Sequence, residues 1–315
     1  MTNSNRRDFM KTTAGLGAAM ALSGTLKAHT VAPTAPFPQQ YSFCNEVFRD
    51  LGWSQEKIFN YLAQCGYKGV EIAPFTINND VNKITAAERK NLCRYAEKAG
   101  LEIVGLHWLL AGTKELGLHL TSPDPDVRKK TSAYLVSLGR FCSDLGGKVM
   151  VFGSPNERNF TPKMTWDEGF GYATEVLKRA MPALEKLGIV LALEPLGAYE
   201  TNFMYCAGDA VKVAKAVGSP SCKIMLDCKA MARESTPILE LIKIHAPWTV
   251  HFHANDPNFQ GPGFGDLDFA PIFQTLKDTK FKGWVSVEPL EYTPGAENLA
   301  TKSIAYMKKC AEKVS

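Results

Sequence analysis

Four short apolar runs in the second half of the chain each stop on a residue that can hold a metal ion. They read Ile189-Val-Leu-Ala-Leu-Glu194, Lys223-Ile-Met-Leu-Asp227, Thr249-Val-His-Phe-His253 and Trp284-Val-Ser-Val-Glu288. Two glutamates, one aspartate and one histidine make a hard, oxygen-rich donor set. It suits one divalent ion, Mn²⁺ foremost, with Mg²⁺, Co²⁺ or Zn²⁺ as alternatives. One chemistry open to such a set is removal of a proton next to a carbonyl. The charge that develops on oxygen is stabilised by a Lewis acid, and a carboxylate on either side can take the proton and return it. Return on the opposite face epimerises. Return to the neighbouring carbon moves the carbonyl by one position.

The four endpoints stand 33, 26 and 35 residues apart. One strand–helix–strand unit takes roughly 30 residues, so each step is one βα unit and each ligand closes a parallel strand. In a (β/α)₈ barrel those strand ends share one mouth. The first half continues the alternation. Strands are predicted at Tyr41–Glu46, Gly69–Ala73, Leu101–His107 and Lys148–Phe152. Helices are predicted at Gln55–Gln64, Thr85–Ala99, Ser122 to about Leu145, and Trp166–Leu187, with later ones near 207–217, 236–245, 268–279 and 295–312. The Thr85-Ala-Ala-Glu88 capping box and the stop at Gly100 are the clearest local signals. The count is eight strands and eight helices, which predicts an α/β fold with a single (β/α)₈ TIM barrel over residues 41–315 and no second domain.

Composition agrees. Of 315 residues, 45% are hydrophobic and 22% charged, ordinary for a globular protein. The net charge is +4, of which the first 28 residues supply +3 through Arg6, Arg7, Lys11 and Lys27 against Asp8. The rest is near neutral, which gives no footprint for nucleic acid. Asn5-Arg6-Arg7-Asp8-Phe9-Met10-Lys11 is a twin-arginine pattern, followed by an apolar Gly- and Ala-rich stretch and small residues up to Ala28. The apolar stretch is short of the ~20 residues a spanning helix needs. Residues 1–28 are therefore expected to be a twin-arginine signal peptide, residues 29–40 a Pro-rich tether, and the protein periplasmic with no stable membrane span. Eight cysteines, at 44, 65, 93, 142, 206, 222, 228 and 310, include no Cys-x-x-Cys pair. Mostly free, buried thiols are expected.

Leu193-Glu194-Pro195-Leu196, Glu200-Thr201, Met225-Leu226-Asp227, His251-Phe252-His253 and Val287-Glu288-Pro289 occur in this order. As a set they resemble the xylose-isomerase-like barrel family, on the branch of sugar isomerases and epimerases typified by ketose 3-epimerases. The resemblance implies that Glu194, Asp227, His253 and Glu288 bind one divalent metal, and that Glu194 and Glu288 are the catalytic proton shuttles. It also implies that Glu200 contacts a sugar substrate and that the chain forms a homo-oligomer. Beyond the resemblance, His107 and Trp108 end the third strand and would reach the mouth, where an aromatic beside a histidine suits a sugar face and its hydroxyls. Glu71 is expected behind the ligands as a support, and Ser154-Pro-Asn-Glu157-Arg158 could supply hydroxyl contacts. His251, alternating with His253, is expected to point to the other face.

Two positions depart from the epimerase pattern. Ala230 stands where it has a histidine, and Phe259 where it has an arginine. Lys229 could take over part of the lost polar contact. Phe259 adds an apolar wall to the substrate site, which favours a ring or an aglycone. The loop Gly261-Pro-Gly263-Phe-Gly265 carries no Lys or Arg to hold a phosphate. The reading is a metal-dependent isomerase or epimerase of a small non-phosphorylated keto sugar, with an exported 3-keto-glycoside lyase or hydrolase as the alternative. An apurinic endonuclease on this barrel would need more histidines, and four intact ligands argue against a mere sugar-binding module.

Overall fold

The computed structural model describes residues 37, 38 and 40–315; the leader and most of the tether expected from the sequence lie outside them. The strands are β1 (Tyr41–Cys44), β2 (Gly69–Ile72), β3 (Glu102–Leu106), β4 (Val149–Phe152), β5 (Val190–Leu193), β6 (Cys222–Asp227), β7 (Thr249–Ala254) and β8 (Val285–Val287). Each pairs in parallel with its successor, and β1 pairs with β8, so the sheet closes into an eight-stranded barrel. The helices are α1 (Gln55–Cys65), α2 (Ala86–Ala99), α3 (Pro125–Asp144), α4 (Trp166–Leu187), α5 (Ala207–Val217), α6 (Cys228–Met231), α7 (Ile238–His245), α8 (Phe269–Asp278) and α9 (Ala296–Ala311). Among the described residues no helix is long and apolar enough to cross a membrane.

Local chemistry explains the boundaries. Thr85 and Thr165 each cap a helix through a reciprocal bond with the glutamate three residues on, Glu88 and Glu168. Gly188 ends α4 in the left-handed region at φ 66°, where a side chain would be strained. Gly105 is required for a different reason: a Cβ there would collide with the Val149 carbonyl of the neighbouring strand.

Apolar residues fill the layer between strands and helices, among them Phe43, Phe141, Leu184 and Phe273, all fully buried. The barrel interior differs. Val151, Ala192 and Met225 form a small separate apolar cluster. Around it the interior is polar: Ser42, Glu71, His107, His251 and Ser286 are each 1% exposed or less. Burying charge in this way is costly unless each group finds a partner, which marks the interior as functional.

The structure corrects the sequence reading at three places. β1 ends at Cys44, and a 3₁₀ turn over Asn45–Leu51 takes Glu46 off the strand. A one-turn helix, α6, follows Asp227 directly, so the described chain has nine α-helices rather than eight. His251 does not face away from His253. Residues two apart on a strand share a face, and both imidazoles reach Glu71. All eight cysteines are free as expected; five are buried, and Cys65, Cys93 and Cys206 are partly so.

Candidate metal centre and active site

Glu194 and Glu288 fall one residue beyond β5 and β8, and their backbone N–H groups extend the ladders onto Phe152 and Ala254. Asp227 closes β6, and it pairs in register with His253 on β7. One ligand atom from each of these four residues lies within 4.8 Å of all the others. All four side chains are 1% exposed or less.

The orientation of each group is fixed by neighbours. Asp227 Oδ1 accepts the Ala230 N–H at 2.9 Å, because Asp227 is the N-cap of α6. Its Oδ2 accepts Asn255 Nδ2 at 2.6 Å. Asn255 also donates to the Glu288 carbonyl and accepts the Lys229 N–H, so one amide ties β6, β7 and β8 together. His253 turns Nδ1 toward Glu288 (2.9 Å) and Glu194 (3.5 Å), and Nε2 toward Glu71 (3.3 Å). Glu71 is on β2 and His253 on β7, so this contact crosses the barrel. Glu194 has space because residue 153 is glycine; a Cβ there would collide with Glu194 Oε2.

The electrostatics are those of a site short of positive charge. Burial pushes the Glu194 carboxyl up, and the Glu288 charge adds to it, against opposing pull from His253 and Lys229. Burial would pull the His253 imidazole down, but Glu288 and Glu71 outweigh it and hold it well above its usual range. Both carboxylate oxygens of Glu194 and Oε1 of Glu288 are buried with no hydrogen-bond partner. Orphaned acceptors of this kind carry the full cost of desolvation. A hard divalent cation fits this donor set and removes that cost.

Lys229, 1% exposed, places Nζ 3.5 Å from Asp227 and 3.4 Å from Glu200. Burial opposes its charge, but Asp227, Glu194 and Glu200 outweigh burial and keep it protonated. Glu200 is thereby brought to the edge of the cluster. Trp108 is half-buried, sits in the left-handed region at φ 48°, and stacks on Phe75 at 5.8 Å. Phe259 is half-buried at φ 70°, and its ring meets Tyr199 edge-on at 5.7 Å. Both aromatics that the sequence nominated are therefore held in backbone conformations that side chains rarely adopt, a feature that collects at functional sites.

His107 lies beside the ligand cluster: one of its ring nitrogens falls within 4.8 Å of a Glu288 carboxylate oxygen, in a group with Cys44 and Glu46. It is fully buried and its Nε2 lies 2.6 Å from Glu46 Oε2. Within the Ser154–Arg158 segment, Ser154 and Arg158 are committed to backbone groups. Ser154 Oγ accepts the Leu110 N–H, and the fully buried Arg158 donates to the carbonyls of Phe152, Ser154 and Glu194. It braces Glu194 from behind. Sequence reasoning missed Glu46 and Asn255. Asn255 lies two residues past His253 on the same face, so alternation could have found it; Glu46 owes its position to the 3₁₀ turn.

The pattern described as xylose isomerase-like TIM barrel matches residues 59–310, and the chain belongs to that family. Its curated relatives are sugar epimerases and isomerases. D-psicose 3-epimerase of Ruminiclostridium cellulolyticum is 26% identical over 253 residues, covering 75% of this chain and 80% of its own. Hydroxypyruvate isomerase of Escherichia coli is 24% identical over 236 residues, covering 73% and 85%. The crystal structure of 3-keto-D-glucoside 4-epimerase from E. coli superposes with a TM-score of 0.73 over 86% of this chain and 99% of its own, at 18% identity, a likeness of fold. A twin-arginine translocation signal sequence matches residues 3–23.

Proposed function

We propose that this protein is a divalent-metal-dependent sugar isomerase or epimerase that abstracts a proton next to the carbonyl of a small non-phosphorylated keto sugar. The observation that carries the reading is the convergence of Glu194, Asp227, His253 and Glu288 on one buried point with carboxylate oxygens left unpaired. These four residues would hold the ion, with Mn²⁺ first among Mg²⁺, Co²⁺ and Zn²⁺. When bound, the ion supplies Lewis acidity toward the carbonyl and the neighbouring hydroxyl.

The chain's own groups do the rest. Glu194 and Glu288 arise three strands apart around the mouth, so a sugar carbon between them has a carboxylate toward each face. One takes the proton from carbon and the other returns a proton to it. Asp227 and His253 stay fixed as ligands, Asp227 by Asn255 and His253 by Glu71. Glu200 and Lys229 bind substrate oxygens at the edge of the cluster, Lys229 taking over from the histidine that Ala230 replaces. Trp108 and Phe259 line the sugar's path, and His107, held by Glu46 through Nε2, turns its unpartnered Nδ1 to the substrate side. A second reading, a 3-keto-glycoside lyase or hydrolase on the same centre, is favoured by Phe259 where the epimerase pattern has an arginine.

The twin-arginine match supports export of a folded, already metal-loaded enzyme to the periplasm. The corresponding organisation is a leader over 1–28, a tether over 29–40 and the barrel over 41–315. A calorimetric titration of the chelated protein with Mn²⁺ tests the reading. One ion per chain is expected, lost in Asp227→Asn and in His253→Gln. Unchanged binding in both variants would remove the proposed ligand set.

A further inference from the structure

The mouth carries an aromatic pair that neither the core nor proton transfer accounts for. Tyr199, in the loop from β5 to α5, is 47% exposed. Its ring lies edge-on to Phe259 at 5.7 Å and 81°. The Arg233 guanidinium sits over the same ring at 5.2 Å. Gly197, at φ 85°, leaves the space in which the Tyr199 ring rests: a Cβ there would fall 2.7 Å from it. The ring is thus placed by its own loop rather than left adrift.

Phe259 is held just as firmly from the other side. Its N–H bonds to the Asp256 carbonyl, and its own carbonyl accepts the N–H groups of Leu290 and Glu291, two and three residues past Glu288. These bonds fix the left-handed backbone that aims the ring at Tyr199. Strain of this kind persists only where the surroundings over-determine it. Here it yields a half-buried ring whose aromatic partner is itself exposed, which is poor use of a phenylalanine for packing. The pair is also continuous with the reaction centre: Tyr199 precedes Glu200, which contacts Lys229, which contacts Asp227.

We propose that Tyr199 and Phe259 form a subsite for an apolar aromatic aglycone attached to the sugar whose other end lies against Glu194 and Glu288. An aryl ring meets one aromatic face and one aromatic edge there, the arrangement aromatic groups favour. Arg233 stands at the outer rim, where it can meet a phenolic oxygen. The free polyol tail of an open ketose would place hydroxyls against the apolar Phe259 ring, where they leave water without a partner. The proposal rests on the reading of Glu194, Asp227, His253 and Glu288 as the reaction centre, and deepens it by naming the substrate class.

Binding of two non-reacting probes, phenyl β-D-glucoside and methyl β-D-glucoside, to the Mn²⁺-loaded protein tests it by calorimetry. The phenyl glycoside should bind about tenfold tighter, the scale of one good aromatic contact. Tyr199→Ala should erase that preference, and Tyr199→Phe should keep it. Equal affinity for the two probes, or a preference that survives Tyr199→Ala in a variant with native melting behaviour, would overturn the subsite. Mn²⁺ titration of the same samples reads the metal centre separately. A Tyr199-dependent phenyl preference in protein that takes up no Mn²⁺ would sustain the subsite and sink the metal reading.

Discussion

Glu71 Oε1 lies 3.3 Å from Nε2 of His253 across the barrel interior, and that contact leaves Nδ1 of His253 facing Glu194 and Glu288. His251 approaches Glu71 Oε2 at 2.8 Å. Burial alone would raise the Glu71 carboxyl, but the two imidazoles outweigh it and hold it well below the usual carboxylate range. Glu71 is therefore an anion that orients a ligand it does not share. Removing such a support typically costs 10- to 100-fold in metal affinity. Glu71→Gln should weaken Mn²⁺ binding by about that factor, measured by calorimetry, with one site per chain retained. Native affinity in the variant would show that His253 is oriented by something else.

Glu194→Gln and Glu288→Gln keep side-chain size and remove the base. Each should lower proton exchange on a substrate at least about a hundredfold, the lower end of what a positioned acid–base group supplies. Thermal stability should hold or rise in Glu194→Gln, because a buried carboxylate with neither oxygen hydrogen-bonded is lost. Near-native exchange in Glu288→Gln would eliminate the two-carboxylate account.

Gly153 touches no substrate in this account and yet should be intolerant. A Cβ there meets Glu194 Oε2, and the side chain that must move is the proposed ligand. Gly153→Ala should therefore cut Mn²⁺ affinity while the barrel still melts cooperatively. An alanine variant with native affinity would mean Glu194 has room to spare.

How much of this was legible beforehand follows from where each contact comes from. Asp227 and His253 pair in register on adjacent strands, and the spacing of the apolar runs was enough to place them. The capping boxes at Thr85 and Thr165 and the stops at Gly100 and Gly188 depend on residues three or four apart, so they too can be read locally. Glu46 could not be: it meets His107 only because a 3₁₀ turn replaces the end of the expected first strand. Arg158 likewise reads as a loop cation, and only the fold shows that its guanidinium is spent on three carbonyls. The sequence could have shown His251 and His253 on one face, since strand alternation has a period of two.

The Glu46–His107 pair predicts a pH effect on the chelated protein. Burial disfavours a charged His107, but Glu46, with smaller contributions from Glu71 and Glu288, outweighs it and raises the imidazole to about 9. An unfolded histidine titrates near ~6.5. Between those values the native state binds the extra proton, so stability falls as pH rises. The contribution is complete below about 6.5 and is lost through about 9. Melting temperature should decline across that window, and Glu46→Gln should flatten the decline. An equal slope in the variant would place the titration elsewhere.

The most direct test of the central claim is deuterium uptake by NMR from D₂O into a panel of ketoses and 3-keto-glucosides, with Mn²⁺ present and then chelated. The account predicts uptake at the carbon next to the carbonyl, lost on chelation and restored by Mn²⁺. Rearranged sugar as product would mark an isomerase or epimerase, and released aglycone would mark the keto-glycoside lyase. Uptake that persists through chelation, or no uptake from any of these substrates by Mn²⁺-loaded protein, would contradict it.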